Sequence, residues 1–247
     1  MIEFSLTGFE FLLRLLIKKE FEFVTEYEEN ETIASSNKIL LRHDIDFDYH
    51  SALRMASKES EYGVKAVYLL RIENNLINFL SSSSIEITRK IIEMGHVVGL
   101  HIEHNVTKMG IEQSLEVLQS ITQKPITHIS FHKPTKSMLP KLPLQVAQDL
   151  NSMIYTKKVK YLSDSGMKWR EDILGALDKY TRIHLLIHPE FWTSNSTNYV
   201  DVLKDLEQKL NENIKNEISE EISDIQKSIA SRMKIDDEIL ENMWNRE

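Results

Sequence analysis

Three aspartates at alternate positions, Asp44, Asp46 and Asp48, stand in the stretch LLRHDIDFDYH, directly after the apolar residues Ile39, Leu40 and Leu41. Alternate residues of an extended segment share a face, so these carboxylates repel one another unless a cation, a basic group or water stands among them. Alone, such a cluster is as readily a turn former or a helix cap. Together with a nearby imidazole it is also what a divalent-metal site with an adjacent general base requires. Further along, GLHIEH carries His101 and His104, which lie on opposite faces if the segment stays a strand, so both reach one ion only if the strand ends between them. SFHKPT offers His132 as a ligand and Lys133 as an anion-steering charge, or simply a polar loop. In YLSDSGMKW, Asp164 fits a turn or an orienter of an imidazole, and Trp169 fits core packing or a sugar platform. An apolar strand in HLLIHP delivers His188 and stops at Pro189, which is how a rigid element presents an imidazole to a cleft.

The rest of the chain must position these groups. Its 247 residues contain no cysteine, so any metal is held by His, Asp, Glu or carbonyl groups, and no disulfide framework exists. The formal net charge of -8 argues against a nucleic-acid partner. LLRLLI is too short and interrupted to span a membrane, and the N-terminal stretch lacks the pattern of a secretion signal, so a cytoplasmic protein is expected.

LTGFEFLLRLLIKKEF has helical apolar spacing, with Ser5 or Thr7 as its cap. KILLRHD and VKAVYLLR read as strands around a helix ended by Gly63. The pattern repeats: a helix closed by Gly95, the strand HVVGLHIEH, the helix GIEQSLEVLQSIT, the strand ITHISFHKP, and later VKYLSDS and IHLLIHP flanking the helix REDILGALDKY. Strands alternating with helices predict an α/β fold with a parallel sheet, open or closed into a barrel. Asp44, Asp46, His101, His132, Asp164 and His188 all fall at the C-terminal ends of predicted strands, the edge where parallel α/β folds build their sites. From about Tyr199 there is no Gly or Pro, and Leu203, Leu206, Leu210, Ile214, Ile218, Ile222, Ile225, Ile229 and Met233 step by three or four residues. That is one amphipathic helix, or two broken at NEN; it could pack on the domain, form a coiled coil with another copy, or bind a partner.

In this order, HDID, GHVVGLHIEHN, FHKP, SDSGMKW and LLIHP resemble the five motifs of the NodB-homology polysaccharide deacetylase family, carbohydrate esterase family 4. The similarity is greatest to a bacterial branch with RHDID-type first motifs and covers roughly residues 38 to 192. It implies a distorted or incomplete (β/α) barrel over residues 1–196, followed by an acidic helical extension over 197–247. It also implies metal-dependent removal of an N- or O-acyl group from a sugar, with zinc as the expected ion. By the resemblance Asp44 is the general base, Asp46 and His101 are metal ligands, His188 is the general acid and Asp164 orients it. Lys133, Trp169 and Trp192 meet the substrate.

The chain departs from the pattern where the second metal histidine is expected, four residues after His101, because Asn105 stands there. His132 is therefore expected to complete the ligand set, with His104 as the fallback. The arginine of the third motif is also missing from FHKP, and Lys133 supplies its charge without the planar fork. The leading expectation is a hydrolase acting on an N-acetylated sugar or polysaccharide precursor. The alternative is a catalytically weak relative that binds a carbohydrate or a protein partner in surface-polysaccharide biosynthesis, with a homo-oligomer through the C-terminal helices conceivable. A metal phosphoesterase would also use Asp and His clusters, but calls for more cationic groups or a second metal.

Overall fold

The structure is a computed structural model that describes residues 2–27, 36–103, 106–133, 148–151, 159–193 and 196–244, with side chains as far as residue 231. Helix α1 (Leu6–Lys18) begins where Ser5 Oγ accepts the Gly8 N–H at 3.0 Å, and it buries Phe9, Leu12, Leu13 and Leu16. After the short β1 (Glu22–Phe23) come β2 (Lys38–Ile45), α2 (Tyr49–Glu61), β3 (Val67–Leu70), α3 (Ser82–Glu93), β4 (Val97–Ile102), α4 (Lys108–Thr122) and β5 (His128–Phe131). Gly63 (φ 67°) and Gly95 (φ 91°) close α2 and α3 in the left-handed conformation that glycine adopts without steric cost. β6 (Gln148–Asp149) and β7 (Lys160–Ser163) follow, then the helix Ile173–Lys179, β8 (Arg182–Ile187) and the short helix Pro189–Thr193.

All strand pairs are parallel, and the sheet runs β6-β5-β4-β3-β2-β8-β7, with β1 paired to the start of β2. The first long strand is thus central: β3, β4 and β5 lie to one side of it, β8 and β7 to the other. In a flat sheet β5 and β7 would stand about 24 Å apart, five strand spacings. Residues from the ends of both nevertheless line one cavity of about 430 Å³. The sheet therefore curls into an incomplete (β/α) barrel, as expected, and its two edges do not pair among the described residues.

β2 shows how the curl is used. Ile39, Leu41, His43 and Ile45 lie on one face and Leu40, Arg42 and Asp44 on the other. Leu40 packs with Tyr27, Val67, Leu69 and Leu150 in the barrel interior. On the opposite face His43 Nε2 lies 2.6 Å from Glu59 Oε1 of α2, and the Tyr68 hydroxyl donates to Glu59 Oε2 at 2.6 Å. This fully buried trio fixes α2 on β2 and β3, since a buried carboxylate persists only with such partners.

His184 of β8 is fully buried, its ring edge-on to Tyr161 at 5.6 Å, and neither nitrogen has a partner among the described residues. Burial, aided by the charge of Arg42, lowers its pKa to about 3. Because the folded value lies below that of the unfolded chain, about 6.5, protonation favours the unfolded state, and stability falls as pH drops from about 6.5 towards 3. His184→Phe is expected to flatten that acid limb, with roughly 2–3 kcal/mol of the loss at pH 4.5 removed. Urea unfolding of both proteins at pH 7 and pH 4.5 measures this, and parallel losses would show that His184 is not the titrating group.

The chain divides into two compact units, residues 1–199 and 200–247. A single helix, Tyr199–Trp244, occupies the C-terminal region, which is the unbroken one of the two alternatives: the helix runs through Asn211–Asn213. Asparagine costs a helix only a few tenths of a kcal/mol relative to good helix formers, and without Gly or Pro nothing stops it. Ile214, Ile218, Ile222, Ile225 and Ile229 each remain about half exposed along it.

Candidate active site

The chemistry-bearing residues gather at the C-terminal edge of the sheet, at the point where the strand order leaves β2 in both directions, which is where open α/β sheets form clefts. The cavity is lined by Arg42, Asp44 and Asp46 from β2 and the turn after it, His101 from β4, His132 and Lys133 after β5, and His188 after β8. Asn151, Tyr161, Ser165, Arg170 and Tyr199 line it too. Asp48 stands apart as the cap of α2, accepting the Ser51 N–H at 3.0 Å.

Asp44 has a basic partner. Arg42, two residues earlier on the same strand face, donates from Nε to Oδ1 at 2.6 Å and from Nη2 to Oδ2 at 2.7 Å, and both side chains are buried. Burial by itself would raise the Asp44 pKa, but the guanidinium and, beyond it, His101 hold the carboxylate below its usual range.

Asp46 is different. His101 Nε2 lies 3.4 Å from its Oδ1 and His132 Nε2 3.6 Å from its Oδ2, while Oδ1 is buried and accepts no hydrogen bond among the described residues. Burial pushes this carboxyl up, yet the surrounding imidazoles outweigh it and the group is ionised. Each imidazole is anchored by its other nitrogen: His101 Nδ1 is 2.6 Å from Ser130 Oγ, and His132 Nδ1 is 3.0 Å from Glu103 Oε1. Glu103 is itself paired with Arg71 at the end of β3. Gly99, two residues before His101, is required for this approach, because a Cβ there would sit 2.3 Å from the His128 carbonyl oxygen of β5. Burial lowers the His132 pKa.

No three His, Asp or Glu side chains among the described residues form a ready-made metal cage. The donor set nevertheless suits a borderline divalent ion. Two imidazoles anchored through Nδ1 turn Nε2 towards one carboxylate, and that carboxylate keeps a buried oxygen without a partner. Nitrogen to oxygen separations of 3.4 and 3.6 Å are close to those between ligands about 2.0–2.1 Å from a shared ion in tetrahedral geometry. His104 lies outside the described residues.

On the other wall, His188 Nδ1 lies 2.6 Å from Asp164 Oδ1, and the His188 backbone N–H donates to both Asp164 oxygens at 3.2 and 3.0 Å. The Trp192 indole N–H donates to Asp164 Oδ2 at 2.8 Å. Burial would lower the His188 pKa, but the Asp164 charge and hydrogen bond push it up to about 10, so the ring is an imidazolium at neutral pH. The geometry thus brings together Asp44, Asp46, His101, His132, Lys133 and His188, with Asp164 behind His188.

The tryptophans go elsewhere. Trp192 is fully buried, so the reading of it as a substrate contact is corrected: its indole steadies Asp164. Trp169 is half-buried and stacks on Phe4 at 6.0 Å with Trp192 beside it, and it is not among the cavity-lining residues. Their aromatic bulk is better spent in packing. Arg42, Ser130, Glu103 and Glu190 also belong to the surroundings of the site. Glu190, just after the His-Pro pair, is buried with neither carboxylate oxygen hydrogen-bonded among the described residues, and burial, then the Asp46 charge, raises its pKa well above the usual range.

No family model and no curated protein matches the chain. Among solved structures it is similar to the catalytic domain of a peptidoglycan N-acetylglucosamine deacetylase from Eubacterium rectale, with a TM-score of 0.43 and 14% identity over 76% of this chain and 90% of that one. A family 4 acetyl xylan esterase from Clostridium thermocellum, in complex with a cobalt ion, matches with a TM-score of 0.40 and 16% identity, covering 71% and 84% of the two chains. A CE4 family pseudoenzyme from Bacillus anthracis matches with a TM-score of 0.41 and 13% identity, covering 78% of this chain and 65% of that one. Likeness of this size carries no functional weight for this chain.

Proposed function

We propose that this chain is a metal-dependent deacylase that removes an acetyl-type group from the nitrogen of an amino sugar or polysaccharide precursor, in the manner of the RHDID-type deacetylases that its motifs resemble, and that it works in the cytoplasm. The observation that carries the reading is the convergence of His101 and His132 on Asp46 opposite an imidazolium held by Asp164. Asp46, His101 and His132 would hold the ion, with zinc the best match to two imidazoles and a carboxylate. When bound, such an ion supplies Lewis-acid polarisation of an acyl carbonyl. Asp44, kept ionised by Arg42, accepts a proton from the attacking water as its oxygen bonds to the acyl carbon. His188, charged and oriented by Asp164, gives the Nε2 proton to the departing nitrogen as the carbon to nitrogen bond breaks. Lys133 meets the substrate at the cavity rim.

One observation favours a second reading, a weakly active or non-catalytic sugar binder: both Asp44 oxygens are taken by Arg42, which lowers the carboxylate's basicity. Metal stoichiometry and acetate release separate the two. Purified protein, without a His-tag and incubated with zinc, is expected to hold about one ion per chain by mass spectrometry, and Asp46→Ala and His101→Ala to hold almost none. The parent is also expected to release acetate from an N-acetylhexosamine oligomer. A parent that stays empty with zinc, cobalt and nickel would sink the metal mechanism, whereas metal uptake without acetate release would favour the binder.

A further inference from the structure

The charge that lines the cavity is opposite in sign to that of the chain. The protein carries a formal net charge of -8, yet the cavity wall presents Arg42, Lys133, Arg170 and the imidazolium of His188 against only two carboxylates, Asp44 and Asp46. Arg42 and Asp44 cancel each other as a bidentate pair. Asp46 is the carboxylate on which the two imidazoles converge, and any bound divalent ion would more than neutralise it. Lys133 and Arg170 are left over: both are exposed, on the loops after β5 and β7, and neither has an ion-pair partner among the described residues.

Two further details point to a ligand and not to idle surface charge. Arg42, which lines the same cavity, is 1% exposed, and its Nη1 is buried without an acceptor among the described residues, although an unpaired buried guanidinium N–H is costly. Lys133 adopts φ 49°, a left-handed conformation that a non-glycine residue holds only against strain and that concentrates at functional positions. In sequence the charge has the same sign around it: residues 133–160 contain six lysines and one acid, whereas the chain as a whole is acidic.

We infer that the sugar accepted by this site carries an anionic group, a phosphate or a carboxylate, which Lys133 and Arg170 bind at the cavity rim while the acyl group enters towards Asp46. The inference deepens the deacylase reading and rests on it for the acyl group, but the anion preference is a binding property, measurable without turnover. A neutral amino-sugar polymer would leave these two exposed cations without a counter-charge among the described residues.

The test is calorimetric titration of the full chain, metal-free and zinc-loaded, with three probes: a neutral N-acetylhexosamine, its phosphate monoester and the matching N-acetylhexosaminuronate. At least one anionic probe is expected to bind about tenfold or more tightly than the neutral one, in the metal-free protein as well as the loaded one, with the difference shrinking as salt is raised. The phosphate and uronate arms tell which anion is preferred. In Lys133→Ala combined with Arg170→Ala the preference is expected to collapse to less than about threefold. Equal affinity for neutral and anionic probes, no binding of either anion, or a preference that survives the double substitution would each overturn the inference. The deacylase reading is judged separately, by ion content and acetate release.

Discussion

Arg42→Met is expected to destabilise the protein by roughly 3–5 kcal/mol, the cost of leaving a buried carboxylate without its partner. Asp44 is 3% exposed and both its oxygens are bonded to Arg42, so removal of the guanidinium leaves a buried charge without those hydrogen bonds. The methionine fills most of the volume, which confines the loss to electrostatics and hydrogen bonding. Combining Arg42→Met with Asp44→Asn should recover much of it, because the orphaned charge is then gone. The pair also fixes a pH window. The folded Asp44 pKa is lowered, so its contribution is present above the unfolded aspartate value of about 3.9 and is lost as pH falls through the folded one. Urea unfolding of parent, single and double variants at pH 7 is the measurement. A single variant within about 1 kcal/mol of the parent would mean that the carboxylate finds other partners, and the account of Asp44 as a base held ionised by Arg42 would fail with it.

The strands and helices were legible because their signals are local. Apolar runs ended by Gly63, Gly95 or Pro189 coincide with the element ends, and Asp48 caps α2 as its position before an apolar-periodic stretch predicts. The placement of Asp44, His101, His132 and His188 on one sheet edge followed from the same reasoning, since parallel strands share a direction. What the residues do for one another was less legible. Alternation alone puts Arg42 on the face of Asp44, so RHD already carries the pair. Ser130 and Glu103 are another matter. Ser130 reaches His101 because β4 and β5 pair in the register His101↔Ser130, and register between strands about 29 positions apart is a tertiary property. Trp192 misled for a similar reason: a tryptophan beside a catalytic-looking His-Pro suggests a sugar platform, but the turn into the helix Pro189–Thr193 aims its indole at Asp164.

The largest kinetic effect is expected from Asp164→Asn, because three donors converge on this one carboxylate. Asp164 is fully buried and accepts from the His188 ring, the His188 backbone N–H and the Trp192 indole. An amide has one carbonyl oxygen to offer. If that oxygen faces His188, the NH2 group meets the Trp192 N–H, donor against donor; if it is flipped, the NH2 group meets Nδ1 and forces the ring into the tautomer whose proton is on Nε2 and whose charge is lost. Either way the charge that holds the His188 pKa at about 10 disappears, and burial, which acts to lower it, prevails. In the proposed reaction the imidazolium donates a proton to the leaving nitrogen, so kcat should fall by about 10²–10⁴-fold, the usual worth of a general acid. The pH profile should change with it: the parent keeps its acid up to roughly pH 10, whereas the variant's remaining activity should decline at a much lower pH, at or below the ordinary histidine value. Thermal stability should drop by only about 1–3 kcal/mol, from the unsatisfied indole or ring. Rate against pH, together with nitrogen NMR of the His188 ring, separates this outcome from simple loss of fold. A folded Asp164→Asn protein with the parent's alkaline limb would show that His188 is not the proton donor, and would move the source of that proton to another group on the cavity wall.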